Sequence, residues 1–214
     1  MFITLEGPEG SGKSLLGRAL AARLEANGRR VLLTREPGGT PLGDVLRDVL
    51  LLRRELHFAP LAQALVLAAS RTQLVQDVIR PALRSGTVVL CDRYVDSTYA
   101  YQGFGHGLAL EDLRMVMRVA TEGLLPDLTL LLDVTPEMGL ARKQRQGATS
   151  PSEWNRFEAE TLAFHNRVRD GYHALAAEHP ERWVRLDATS HPEVVAAEAW
   201  HAVQQRLIED PSPP

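Results

Sequence analysis

Apolar residues follow two patterns that alternate along the chain. Short runs with β-branched members occupy 2–5, 31–34, 87–91, 128–134 and 183–186. Longer stretches with helical spacing lie between them: 13–26, closed by Asn27-Gly28, then 41–53, 58–84, 109–122, 136–146, 152–178 and 192–208. Strand-length runs interleaved with helices are what a parallel sheet covered by helices looks like in sequence. The pattern therefore predicts an α/β chain with five parallel strands, helices on both faces and right-handed crossovers. Ligands of such sheets gather at the carboxyl ends of the strands, so the segments after residues 5, 34, 91, 133 and 186 are where chemistry is expected.

The 214 residues, 44% hydrophobic, can bury a sizeable core and suggest one domain, 1–209, with a mobile insertion. Asp210-Pro-Ser-Pro-Pro214 reads as a disordered tail. No apolar stretch approaches the ~20 residues that span a bilayer. The N-terminus enters a strand without a basic region or a cleavage site, so no membrane association is expected and the location expected is cytoplasmic. Cys91 is the only cysteine; in an apolar run it reads as core, which excludes an internal disulfide. A net charge of −3 and a pI near 6.2 give no field suited to a nucleic-acid backbone. Of the 24 basic residues only Lys13 and Lys143 are lysines, so a single Arg means little outside a motif. The seven histidines show no metal-ligand spacing, and Trp154, Trp183 and Trp200 read as packing residues.

Between the first strand and the first helix lies Gly7-Pro-Glu-Gly-Ser-Gly-Lys-Ser14, a phosphate-binding loop. The spacing turns the backbone N–H groups of Gly7, Pro8–Gly10, Ser11 and Gly12 (Pro8 excepted) toward a nucleotide phosphate, and the following helix aims its positive end at the same anion. Lys13 reaches the β/γ-oxygens and Ser14 can bind Mg²⁺. After the third strand, Asp92 can hold a Mg²⁺-bound water while Arg93 grips a second phosphate. After the second, Thr34-Arg-Glu-Pro-Gly-Gly-Thr40 lets the backbone approach a ligand, with Arg47 following on the next helix. The Gly/Ser/Pro-rich stretch 146–152, preceded by Arg142, Lys143 and Arg145, suits a lid over phosphates. A guanine-reading Asn-Lys-x-Asp is absent, against a GTPase-like switch.

With Leu5–Ser14, Thr34–Thr40, Ala69-Ser-Arg-Thr-Gln73, Asp92-Arg-Tyr94, Ser97, Tyr101-Gln102, Leu132-Asp-Val134 and Asn155-Arg-Phe-Glu158 in this order, the chain resembles the bacterial thymidylate kinases over nearly its whole length. The resemblance implies a three-layer P-loop NTPase fold of the nucleoside monophosphate kinase type, with a five-stranded parallel sheet, a small mobile lid at about 142–156, and a homodimer. It implies transfer of the γ-phosphoryl group of Mg-ATP to dTMP, giving dTDP and ADP for dTTP synthesis, with ATP and Mg²⁺ required. By position, Glu9 corresponds to the family's contact to the 3′-hydroxyl of dTMP, Arg71 to the donor to thymine O4, and Gln102 to a residue holding the base edge. Arg93 and Arg47 correspond to the groups that bind the acceptor 5′-phosphate; Glu36, Ser97 and Tyr101 fall in the same substrate-binding motifs. Gly10 stands where the eukaryotic type carries an Arg, so the resemblance assigns the transferring phosphoryl to Arg142 and Arg145, with Lys143 and Arg156 assisting. Leu67 occupies the place of a Phe that stacks on thymine, and Asn155 that of an Asp.

Overall fold

Strand β1 (Phe2–Glu6) lies at the centre of a five-stranded sheet, order β2-β3-β1-β4-β5, in a computed structural model that describes residues 1–53, 55–147, 157 and 160–209. Its companions are β2 (Val31–Arg35), β3 (Val88–Asp92), β4 (Leu128–Asp133) and β5 (Trp183–Asp187), and every neighbouring pair is parallel. The central strands are apolar throughout because both faces are covered. Phe2, Val89, Cys91 and Leu131 belong to one buried cluster; Ile3, Leu5, Leu90, Leu130 and Leu132 belong to the other. This is the two-residue alternation of a strand expressed between two apolar layers. Apart from the carboxylates Glu6, Asp92 and Asp133 at the strand ends, the exceptions are Thr4 and Thr129, which pair their hydroxyls at 3.0 Å.

Helices α1 (Lys13–Ala26) and α9 (Pro192–Glu209) cover one face. On α1, Leu16, Leu20 and Leu24 recur every four residues and are buried, the stripe that a helix lying on a sheet requires. The opposite layer contains α3 (Pro60–Leu74), α6 (Leu110–Thr121) and α8 (Leu162–Glu178). Cys91 and Trp183 are buried there as core, and Trp200 packs on the other cluster. Among the described residues no helix is long and apolar enough to cross a membrane.

Four helical segments differ from expectation by two residues or more. Helix α2 (Pro41–Leu51) stops two residues short of 53; Thr40 starts it, its Oγ1 accepting from Gly43 N at 3.0 Å, an N-cap followed by Pro at the first helical position. The stretch expected as one helix over 58–84 is α3, a π-helical turn at Val75–Ile79 and α4 (Arg80–Arg84). Pro81 has no N–H for the Asp77 carbonyl, and the wider turn before it accommodates that loss. A helical segment made of α5 (Val95–Thr98) and a π-helical stretch, Tyr99–Gly105, was not expected at all. Helix α8 begins at Leu162 and not at 152, because Thr161 caps it by accepting from Phe164 N at 3.2 Å. Helix α7 is Pro136–Gly147. Most of the expected lid, with Trp154, Asn155 and Arg156, and the tail 210–214 lie outside the described residues.

Candidate active site

The phosphate loop leaves β1 at Glu6 and enters α1 at Lys13. Gly10, at φ 68°, lies against the first turn of α7: a Cβ there would stand 2.0 Å from the Gly139 carbonyl oxygen, and one on Gly139 would stand 2.2 Å from that of Glu9. Loop and helix therefore meet backbone to backbone. Lys13 Nζ closes the loop from inside, donating to Gly7 O at 3.0 Å, Pro8 O at 2.8 Å and Ser11 Oγ at 3.2 Å. Burial, and then repulsion from Arg93, brings its ammonium down to about 8.

The register that pairs Leu5 with Asp92 sets the end of β3 beside the loop. Ser14 Oγ donates to Asp92 Oδ2 at 2.7 Å, so the hydroxyl and the carboxylate converge. Arg93 has a left-handed backbone, φ 71°, which costs a non-glycine residue energy and persists where the surroundings fix it. Its Nη1 lies 3.1 Å from Gly7 O, Ser97 Oγ and Tyr172 OH. Its Nη2 donates to Glu9 Oε1 at 2.8 Å and to Tyr101 OH at 3.1 Å. Burial would raise the Glu9 carboxyl, but Arg93, Lys13 and the Tyr101 hydroxyl outweigh it and hold it at about 2. Glu6, at the end of β1, is fully buried. It accepts from Tyr94 N at 2.7 Å, Ser97 Oγ at 2.6 Å and Tyr172 OH at 3.0 Å, and burial, with Asp96 nearby, raises it to about 7.

Of these groups, Glu9, Lys13, Ser14, Asp92, Arg93, Ser97 and Tyr101 open on a cleft of about 370 Å³. Loop residues Glu9 to Ser14, Asp92 and Arg93 form one part of its wall; Glu36, Arg47, Leu67, Arg71, Tyr101 and Gln102 form another. Arg47 Nη1 donates to Pro37 O at 2.9 Å. Arg71 is 2% exposed and densely bonded: Nε to Glu36 Oε2 at 2.7 Å, Nη1 to Thr98 Oγ1 at 3.1 Å and Met117 Sδ at 2.6 Å, Nη2 to Tyr94 O at 3.0 Å. Two buried oxygens in this wall, Glu36 Oε1 and Gln102 Oε1, have no hydrogen-bond partner among the described residues. In a native interior such atoms are few and call for a ligand or water.

The lid cations separate. Lys143 lines the cleft. Arg142 instead donates from Nη1 to Ala188 O at 2.8 Å, beyond the end of β5, and Arg145 donates from Nε back to Ala141 O at 3.2 Å on its own helix; neither lines the cleft in this arrangement. Sequence reasoning missed Glu6, Tyr172, Phe157, Arg18 and Arg35 as site residues. Glu6 adjoins the loop and was within reach of motif reading; Tyr172 sits in a helical pattern that reads as core. Phe157 lines the cleft near Leu67 and meets the Tyr101 ring edge-on at 5.5 Å. Among the described residues no group of three or more His, Cys, Asp or Glu could form a metal cage.

A family model described as thymidylate kinase matches residues 5–199. Curated thymidylate kinases are similar over nearly full length: that of Thermomicrobium roseum is 53% identical over 204 residues, 95% of this chain and 94% of the relative. That of Deinococcus radiodurans is 50% identical over 206 residues, 96% and 97% of the two chains. A crystal structure of thymidylate kinase from Ehrlichia chaffeensis superposes with a TM-score of 0.75 at 30% identity, covering 95% of this chain and 98% of that one.

Proposed function

The chain belongs to the thymidylate kinase family and catalyses ATP-dependent phosphorylation of dTMP to dTDP, and we propose how its cleft divides that work. The observation that carries the assignment is Arg93, held at the junction of the phosphate loop and the acceptor wall by bonds to Gly7 O and Glu9. ATP lays its phosphates in the loop Gly7–Ser14, with Lys13 exchanging its loop carbonyls for phosphate oxygens. The dTMP 5′-phosphate takes Arg93 and Arg47, and the guanidinium keeps both phosphates in line. Transfer then needs positioning and cationic stabilisation of the equatorial oxygens more than a strong base.

Mg²⁺ is the cofactor we assign. Ser14 and Asp92 converge as two hard oxygen donors, the kind of ligands that suit a Mg²⁺ ion arriving with nucleotide phosphates and water. It would supply charge neutralisation at the β- and γ-oxygens. For the base, the unpartnered Gln102 Oε1 suits the N3–H donor of thymine, and Leu67 supplies apolar packing. Arg71 corresponds to the O4 donor; as placed it also anchors Glu36, and Met117 Sδ, a weak acceptor, is the partner a carbonyl would displace. Glu9 corresponds to the 3′-hydroxyl contact, with Ser97 and Tyr101 holding the phosphate-side wall. Lys143, which lines the cleft, is assigned as a helper at the transferring phosphoryl, to which Arg142 and Arg145 are assigned by family position. The cytoplasm is the expected compartment, and a homodimer the expected assembly.

ADP formation from Mg-ATP, measured with dTMP, dUMP, dCMP, dGMP, UMP or no acceptor, tests the reading. Strong dTMP dependence in the wild type, lost by about a thousandfold in Arg93→Ala with the fold intact, is the expected outcome. An unchanged rate in that variant removes Arg93 from the phosphate site.

A further inference from the structure

The placement of Arg93 also depends on Glu6 and Tyr172, to which the assignment above gives no substrate contact. Two hydroxyls, Ser97 Oγ and Tyr172 OH, each lie 3.1 Å from Nη1 and 2.8 Å from one another. Both also reach one oxygen, Glu6 Oε2, at 2.6 and 3.0 Å. The other Glu6 oxygen is occupied by the Tyr94 amide at 2.7 Å, so the carboxyl is fixed between β1, the turn after β3 and α8. Glu6 is 0% exposed, which leaves its charge no solvent to interact with.

We propose that Glu6 and Tyr172 form a positioning device for Arg93, in which the ionised Glu6 carboxylate takes the hydroxyl protons of Ser97 and Tyr172 and leaves both hydroxyl oxygens free to accept from the guanidinium. A hydroxyl has one proton to give and two lone pairs to offer. With Glu6 ionised, both protons point at the carboxylate and both oxygens serve Arg93. With Glu6 protonated, its own O–H must donate to one of the hydroxyls. That hydroxyl donates to the next, each oxygen shares its two lone pairs between Arg93 and a second donor, and the carboxylate charge that polarised both toward the guanidinium is lost. The acceptor phosphate would meet a guanidinium less firmly held. The charged groups facing Glu6 are Asp96 on α5 and Arg93, with Lys13 from α1 and Arg182, ahead of β5, also within electrostatic range. Burial and Asp96 bring its titration to about 7, so the device would work near neutral pH.

The proposal rests on Arg93 binding the acceptor phosphate, and the test separates the two ideas. Arg93→Ala, Tyr172→Phe and Glu6→Gln are compared with the wild type by dTMP and ATP KM and by the pH dependence of kcat/KM for dTMP. Tyr172→Phe removes one oxygen and should raise the dTMP KM about tenfold while the ATP KM stays within about twofold. In the wild type kcat/KM should rise with pH through about 7; Glu6→Gln should lose that limb. The acceptor's own phosphate, titrating near pH ~6, is common to every variant. Wild-type dTMP KM in Tyr172→Phe, or an unaltered limb in Glu6→Gln, overturns the device while a damaged Arg93→Ala leaves the phosphate reading standing. An undamaged Arg93→Ala overturns both. Should Glu6→Gln not fold, the Tyr172→Phe KM pair decides alone.

Discussion

Lys13 answers to two opposed conditions. In the loop its ammonium is surrounded by carbonyl oxygens yet buried and close to Arg93, which brings its titration down from 10.5 to about 8. Nucleotide phosphates favour the charged form again. Binding of ATP in the window between about 8 and 10.5 should therefore take up a proton, and affinity should fall as pH rises through that window. The sign for the empty fold is opposite: the unfolded chain holds this proton more tightly, so unliganded stability should rise over the same range. Calorimetry in buffers of different ionisation heat checks the uptake; a binding heat independent of buffer would refute it. Glu9 is lowered too, but by attraction to Arg93 and Lys13 against its burial. Held at about 2 against an ordinary 4.5, it contributes stability that is present above 4.5 and lost as pH falls toward 2. Lys13 was legible because the loop spacing itself places it; Glu9, whose partner Arg93 is 84 residues away, was reached only by family position. Tyr172 was reached by neither: its partner Arg93 is 79 residues away, and nothing in a helical pattern distinguishes a buried Tyr that packs from one that also bonds.

At the scale of elements, the contact between the phosphate loop and α7 is the strictest constraint in the site. Gly139 is helical, and Ala would ordinarily gain about 1 kcal/mol of helix propensity there. A Cβ at that position would instead meet the Glu9 carbonyl at 2.2 Å. Gly139→Ala should thus destabilise by about 1–3 kcal/mol, the range for overfilled contacts, and raise the ATP KM as the loop is pushed from its course. A melting temperature at or above that of the wild type would show that propensity, not space, governs the site. The strand-loop-α1 unit was readable because all its signals are local. The segment Val95–Gly105 was not, since a π-helical stretch shows neither the period of a strand nor that of an α-helix; it is nevertheless what brings Tyr101 and Gln102 to the cleft. The start of α8 was placed ten residues early because helical spacing was followed back through Thr161, whose cap marks the boundary.

For the whole molecule, the alternation of runs and helices was enough to give five parallel strands, while their order emerged only from the structure, because pairing is set by contacts across the chain. The surface adds a feature of its own. Leu61 and Leu65 on α3 are 49% and 50% exposed, and Met115 and Val119 on α6 are 57% and 71% exposed, on two helices that pack together. Helices with buried faces ordinarily turn polar residues outward, so these four side chains are the proposed interface of the proposed homodimer. Leu65→Asp with Val119→Asp should give a monomer by sedimentation, whereas a persisting dimer would place the interface elsewhere.

The distribution of amines has a practical consequence. Apart from the N-terminus, the 214 residues carry just two primary amines, Lys13 and Lys143, and both line the cleft. Apart from the seven imidazoles, every other basic side chain is a guanidinium, which simple aldehydes do not alkylate under mild reductive conditions. Reductive alkylation with a phosphate-bearing aldehyde near pH 8, where a large share of Lys13 is the free amine, would thus write its label into the cleft, giving this chain a built-in covalent reporter of nucleotide occupancy.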